Sequence, residues 1–128
     1  MYLLIDTSQS TCHIWLVEGS RSFHYEWESN RDLARGLLLF LTEKLKSHQS
    51  SVKNLKGIGV LRGPGSFTGL RIGVSTVNTI AYFSGIPVVG TSGESWRKRA
   101  IKLLSSGIDE KVVLPDYGRP ARITKPKK

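Results

Sequence analysis

The chain has 128 residues, a single cysteine and a formal net charge of +9. One cysteine excludes an intrachain disulfide, and the longest apolar run, residues 37–41, is far too short to span a bilayer. One domain with a buried core is expected, in a reducing, cytoplasmic setting and with no membrane association.

Residue 1 opens directly into a strand-like segment, so no signal peptide is expected. Residues 1–6, 11–18 and 21–28 read as three successive strands, with Gly19-Ser20 as a tight hairpin turn between the last two. Cys12, in the second strand, reads as a small buried apolar residue and not as a reactive thiol. In the third strand Phe23, Tyr25 and Trp27 share one face, opposite Ser22, His24, Glu26 and Glu28. That alternation marks a half-buried strand. His24 has only Glu26 and Glu28 as neighbours of ligand type, and His13 and His48 stand alone in the sequence, so no metal site is predicted.

Asn30 is the expected cap of a first helix, with Asp32 in its opening turn, running to about residue 47. Leu33, Leu37, Leu41 and Leu45 form one stripe at helical spacing. Leu38, Leu39 and Phe40 widen the apolar girth beyond the third expected of a surface helix. This predicts a core face and an interface face on one helix.

A fourth strand is predicted over 55–61. It is followed by Arg62-Gly63-Pro64-Gly65-Ser66-Phe67-Thr68-Gly69-Leu70-Arg71-Ile72-Gly73, the most informative run in the chain. Ser66 or Thr68 is placed to cap the helix that follows, and Pro64 fixes one dihedral of the turn. Gly69 and Gly73, four apart, permit close approach of a neighbouring element on one helix face. A helix N-terminus attracts anions. No Lys-Ser or Lys-Thr follows the last glycine, however, and the dinucleotide spacing is long by one residue. A structural strand–turn–helix connection is the preferred reading. Gly85-Ile86-Pro87 ends this helix, residues 88–90 form a fifth strand, and Thr91 to Glu94 has capping-box spacing before a last helix to about 104. The order predicts an α/β fold with a mixed five-stranded sheet and three helices.

Charge is concentrated at the end. Residues 1–96 carry 9 basic and 7 acidic groups, against 10 and 3 in residues 97–128. The first 107 residues read as the folded lobe and 108–128 as a basic tail, with Arg119, Arg122, Lys125, Lys127 and Lys128 as candidate nucleic-acid contacts.

The Gly-rich run, with Leu4-Ile5-Asp6-Thr7-Ser8 and Gly85-Ile86-Pro87-Val88-Val89-Gly90, resembles the TsaB (YeaZ) family of the tRNA threonylcarbamoyladenosine pathway. The likeness covers residues 1 to about 96. Pro115-Asp116-Tyr117-Gly118-Arg119 resembles the segment with which family members often finish. The resemblance implies a single actin-like, RNase H-like lobe, a short form without the family's second lobe. Asp6, Thr7 and Ser8 match a degenerate phosphate-facing position. A lone lobe would supply at most half of a nucleotide site, shared at a subunit junction, so no cofactor is expected of this chain alone. The related transferase TsaD is implied to bind metal through histidines of its first long helix, where this chain has Leu33, Ala34 and Arg35.

The resemblance therefore implies a non-catalytic partner of a TsaD-like subunit, docking through the first and second helices. Leu33, Leu37, Leu41, Gly69, Gly73 and Val77 are the interface residues it selects. A TsaE-like ATPase is a second implied partner, tRNA would be met through the complex, and a homodimer is expected when the chain is alone. Two other readings stay open: a residual ATPase or peptidase-like enzyme centred on Asp6, and a basic tRNA-binding module.

Overall fold

The computed structural model describes residues 1–117. The strands are β1 (Tyr2–Asp6), β2 (Thr11–Glu18), β3 (Arg21–Glu28), β4 (Gly57–Leu61) and β5 (Val88–Thr91), and the helices are α1 (Leu33–Ser47), α2 (Phe67–Ser84) and α3 (Trp96–Ser105). The sheet order is β3-β2-β1-β4-β5. The first three strands form an antiparallel meander, while β4 runs parallel to β1 and β5 parallel to β4. Both parallel steps cross over through a helix, as such connections require.

The sheet separates two apolar layers. On one face, Leu3, Ile5, Cys12, Ile14 and Leu16 meet Leu37, Leu41 and Leu45 of α1 and Val74 and Val77 of α2. On the other, Leu4 and Val89 meet Trp96, Ala100 and Leu104 of α3. β1 and β4 are apolar along both faces because both are covered, the usual consequence of parallel pairing in a sheet's centre. β3 alternates because its second face is left to solvent, and β2 because Trp15 and Val17 of its second face are only partly covered by the α3 layer.

Three local expectations are corrected. Asn30 is not a cap: it adopts φ 50° in the turn, and Asp32 occupies the cap position without a side-chain bond. The Thr91–Glu94 capping box does not form. Thr91 ends β5, its hydroxyl donates to the Trp96 carbonyl oxygen (2.7 Å), and α3 starts only at Trp96. Leu55 precedes β4 as the cap of a short 3₁₀ turn, Val52–Asn54. By contrast Ser66 caps α2, its hydroxyl accepting from the Gly69 amide (3.2 Å), and Gly85 closes that helix in the left-handed conformation that glycine adopts most easily.

The segment 108–117, grouped with the tail by composition, is fastened to the lobe. The Glu110 amide donates to the Val88 carbonyl oxygen (2.9 Å), and the Gly90 amide donates to the Glu110 carboxylate (2.7 Å). Asn78 exchanges two hydrogen bonds with the Val113 backbone, and Val113 is buried. The segment thereby covers the outer edge of β5, whose backbone groups would otherwise offer a pairing edge.

Candidate functional site

The loop after β1 and the Gly-rich turn before α2 pack directly on each other. The Asp6 carboxylate accepts from the Ser8 amide (2.8 Å) and the Ser8 hydroxyl (2.6 Å), a local turn stabilised by its own side chain. The Ser66 amide donates to the Ser8 carbonyl oxygen (2.9 Å). Thr7 is fully buried and its hydroxyl donates to the Gly69 carbonyl oxygen (2.7 Å). Thr7 is therefore no ligand contact, which corrects its assignment beside Asp6 and Ser8 as a nucleotide-facing group. Asp6 and Ser8 remain partly exposed. Among the described residues, no group of three metal-ligating side chains forms at Asp6.

The same packing explains Gly69 and Gly73. A Cβ at either position would collide with Thr7, so these glycines bring α2 onto the end of β1 and not onto another molecule. Leu33, Leu37, Leu41 and Val77 are likewise enclosed by the chain, at 6%, 1%, 0% and 0% exposure. All six predicted interface residues are thus core residues, and their assignment to an outer face is corrected. The sequence showed the apolar excess on α1 but could not rank two adjacent apolar stripes by depth.

Beside these buried stripes, both helices also carry exposed apolar side chains. Leu38 and Leu39 on α1 are 52% and 61% exposed, and Tyr82 and Phe83 at the end of α2 are 79% and 80% exposed. Between the helices runs an open groove of about 400 Å³, lined by Ala34, Leu38, Ile72, Thr76, Thr79 and Ile80 among others. Its lining on α2 alternates the short side chains of Ser75, Thr76 and Thr79 with Ile72 and Ile80. Leu38 is both exposed and part of the groove wall.

On the opposite side of the sheet the structure joins what the sequence left separate. His13 Nδ1 lies 2.9 Å from His24 Nε2 and 3.7 Å from Glu26 Oε2. The missed signal was register: a two-residue turn at Gly19-Ser20 pairs Glu18 with Arg21 and so sets His13 opposite Glu26 and Trp15 opposite His24. Cys12 is buried as expected. Burial, with a smaller contribution from the Asp6 carboxylate, pushes its thiol up to about 12.

A family model for TsaD, tRNA N6-adenosine threonylcarbamoyltransferase, matches residues 28–94, just over half of the chain. The TsaB protein of Escherichia coli, named for tRNA threonylcarbamoyladenosine biosynthesis, is 28% identical over 117 residues, covering 86% of this chain and 50% of that protein. The structure of YeaZ from Pseudomonas aeruginosa superimposes with a TM-score of 0.67 at 27% identity, over 77% of this chain and 49% of that one. The chain belongs to the TsaB/YeaZ family.

It spans about half the length of the TsaB relatives it matches. RuvC of Thermus thermophilus, at 13% identity and a TM-score of 0.53, shares the fold alone, which is the RNase H-like lobe. The TsaD-matching segment contains α1, β4 and α2. It therefore carries both the TsaB-type Gly-rich turn and the exposed helical surface. Arg119, Arg122, Lys125, Lys127 and Lys128, the proposed nucleic-acid contacts, lie outside the described residues, as does the end of the Pro-x-Tyr-x-Arg segment. Among the described residues, no helix is long and apolar enough to cross a membrane.

Proposed function

We propose that this chain is a non-catalytic, TsaB-like subunit of the tRNA threonylcarbamoyladenosine machinery, docking on a TsaD-like transferase through the outer surface of α1 and α2. One observation carries this reading: Leu38 and Leu39 on α1 and Tyr82 and Phe83 on α2 stay exposed, and Leu38 lines a groove between the two helices, all within the segment that matches the transferase family. Two chains that share the α1–β4–α2 unit can pack these helices about a pseudo-two-fold axis, each supplying the equivalent surface. Such an interface would bury about 1,600 Å² in total, the standard size for a specific complex.

The lone Asp6 carboxylate supports a supporting role and not a chemical one. A nucleotide would sit at the junction of this lobe with the partner, and a TsaE-like ATPase would join the assembly there. tRNA would be met by the complex, with the exposed Arg97, Lys98, Arg99 and Lys102 of α3 available on the side away from the docking helices.

Size-exclusion chromatography with light scattering tests the reading, on the chain alone and mixed with the TsaD protein of the same organism. A 1:1 complex is expected, with a homodimer when the partner is withheld. Failure of any complex to form at micromolar concentrations would overturn the docking role. Nucleotide turnover by the pure chain, abolished by Asp6→Ala, would overturn the non-catalytic one.

A further inference from the structure

The outer face of β2 and β3 carries a side-chain arrangement that the docking role does not use. His13, Trp15 and His24 project from this face, since the alternate residues Cys12, Ile14 and Leu16 are wholly buried against the helices. Their rings stack: His24 lies on Trp15 at 4.7 Å and 10°, and His13 lies beside His24 at 5.1 Å and 14°. Trp15 is held from below by Trp96, edge-on at 5.7 Å, and covered by the Arg97 guanidinium at 4.3 Å. These contacts restrict the rotamers of both imidazoles before any ligand arrives.

We propose that His13, His24 and Glu26 form a binding site for a borderline divalent transition ion, of which Zn²⁺ is the representative. The three ligand atoms lie within 4.8 Å of one another. In tetrahedral zinc sites, with metal–ligand bonds of about 2.0–2.2 Å, neighbouring ligand atoms stand about 3.3–3.5 Å apart. The observed 2.9 Å between His13 Nδ1 and His24 Nε2, and 3.7 Å between His13 Nδ1 and Glu26 Oε2, bracket that separation. The third pair, His24 with Glu26, lies within 4.8 Å, so a swing of the exposed Glu26 side chain by about an ångström brings all three onto one ion.

The chemistry of the set selects the ion. Two imidazole nitrogens and one carboxylate suit Zn²⁺, Cu²⁺ or Ni²⁺, whereas Mg²⁺ and Ca²⁺ prefer oxygen donors. Without the ion, the facing ring nitrogens share one proton in their 2.9 Å hydrogen bond. Binding breaks that bond: the donating ring's proton passes by way of solvent to its other nitrogen, so both facing nitrogens become ligands while both imidazoles stay neutral, and a fourth position is kept for water. Glu26 supplies a negative charge against the divalent ion. Because its ligands come from both strands, the ion would pin the β2–β3 hairpin at the edge of the sheet.

Titration of the tag-free, EDTA-dialysed full chain with ZnCl₂, followed by isothermal calorimetry, tests the site. One ion per chain with micromolar affinity is expected, with no competition from Mg²⁺. His13→Asn and His24→Gln should each weaken binding by about tenfold or more, and Glu26→Gln by less. His48→Gln should leave it unchanged, since His48 lies against Phe23 and Tyr25 on the other face. Ring ¹⁵N shifts in the unsubstituted chain give a readout independent of variant folding: those of His13 and His24 should move on adding Zn²⁺. Absence of saturable binding up to about 1 mM, a double His13→Asn/His24→Gln variant that binds as before, or shifts confined to His48 would overturn the proposal.

Discussion

The hydroxyl of Thr7 donates to the Gly69 carbonyl oxygen at 2.7 Å, tying the end of β1 to the first turn of α2. Because Thr7 also fills the space that a side chain at residue 69 or 73 would need, the contact requires glycine on the helix and a short hydroxyl on the loop. Thr7→Val keeps the shape and strands the acceptor, an expected loss of about 1–3 kcal/mol. Gly73→Ala overpacks the same contact for about 1–3 kcal/mol. Urea unfolding of both variants measures this. An unchanged midpoint in both would show that the loop and helix separate freely.

Adjacent leucines on α1 should behave oppositely. Leu37 is 1% exposed and Leu38 52% exposed. Leu37→Asp places a carboxylate in the core, at a cost comparable with the roughly 5–15 kcal/mol that holds a typical domain, and the chain should not fold. Leu38→Asp with Leu39→Asp should leave the circular dichroism spectrum and melting point nearly unchanged while abolishing the complex with a TsaD-like partner. Undiminished complex formation by a folded double variant would remove these helices from the docking role.

Cys12 should be inert in the folded chain. Its thiol is pushed up to about 12, so it keeps its proton where an exposed thiol, ordinarily near 8.5, would lose it. The unfolded chain then binds fewer protons than the folded one as pH rises past that ordinary value. The thiol's contribution is intact below it and is lost progressively up to about pH 12. Thiol reagents at about pH 8 should label Cys12 only in denaturant. The melting point should fall more steeply on alkalinisation for the unsubstituted chain than for Cys12→Ala.

Removing residues 119–128 should weaken tRNA binding by the assembled complex and flatten its salt dependence, because five basic groups are deleted and each phosphate contact adds roughly one unit to the salt slope. Filter binding across a range of salt concentrations checks this. An unchanged slope would assign the contact elsewhere, with the exposed basic face of α3 the next place to test.

The elements were largely legible because each rests on a local rule. Alternation in residues 23–28 marked β3, Gly85 marked the end of α2, and Ser66 marked its start. The failures were local rules with two solutions. Thr91 could cap a helix or end a strand, and β4 settled the matter by pairing with it at Leu61. Asn30 could begin α1 or turn the chain before it, and the chain's entry from β3 chose the turn.

By itself, the order of residues determined the α/β architecture, the close approach at Gly69 and Gly73, and the apolar excess on α1, because periodicity, backbone freedom and hydrophobicity are properties of neighbours in the chain. Tertiary structure alone decided which leucines of α1 face inward, what those glycines touch, and that His13 meets His24 and Glu26. Depth and cross-strand distance depend on where a second element lies, and no run of adjacent residues contains that information.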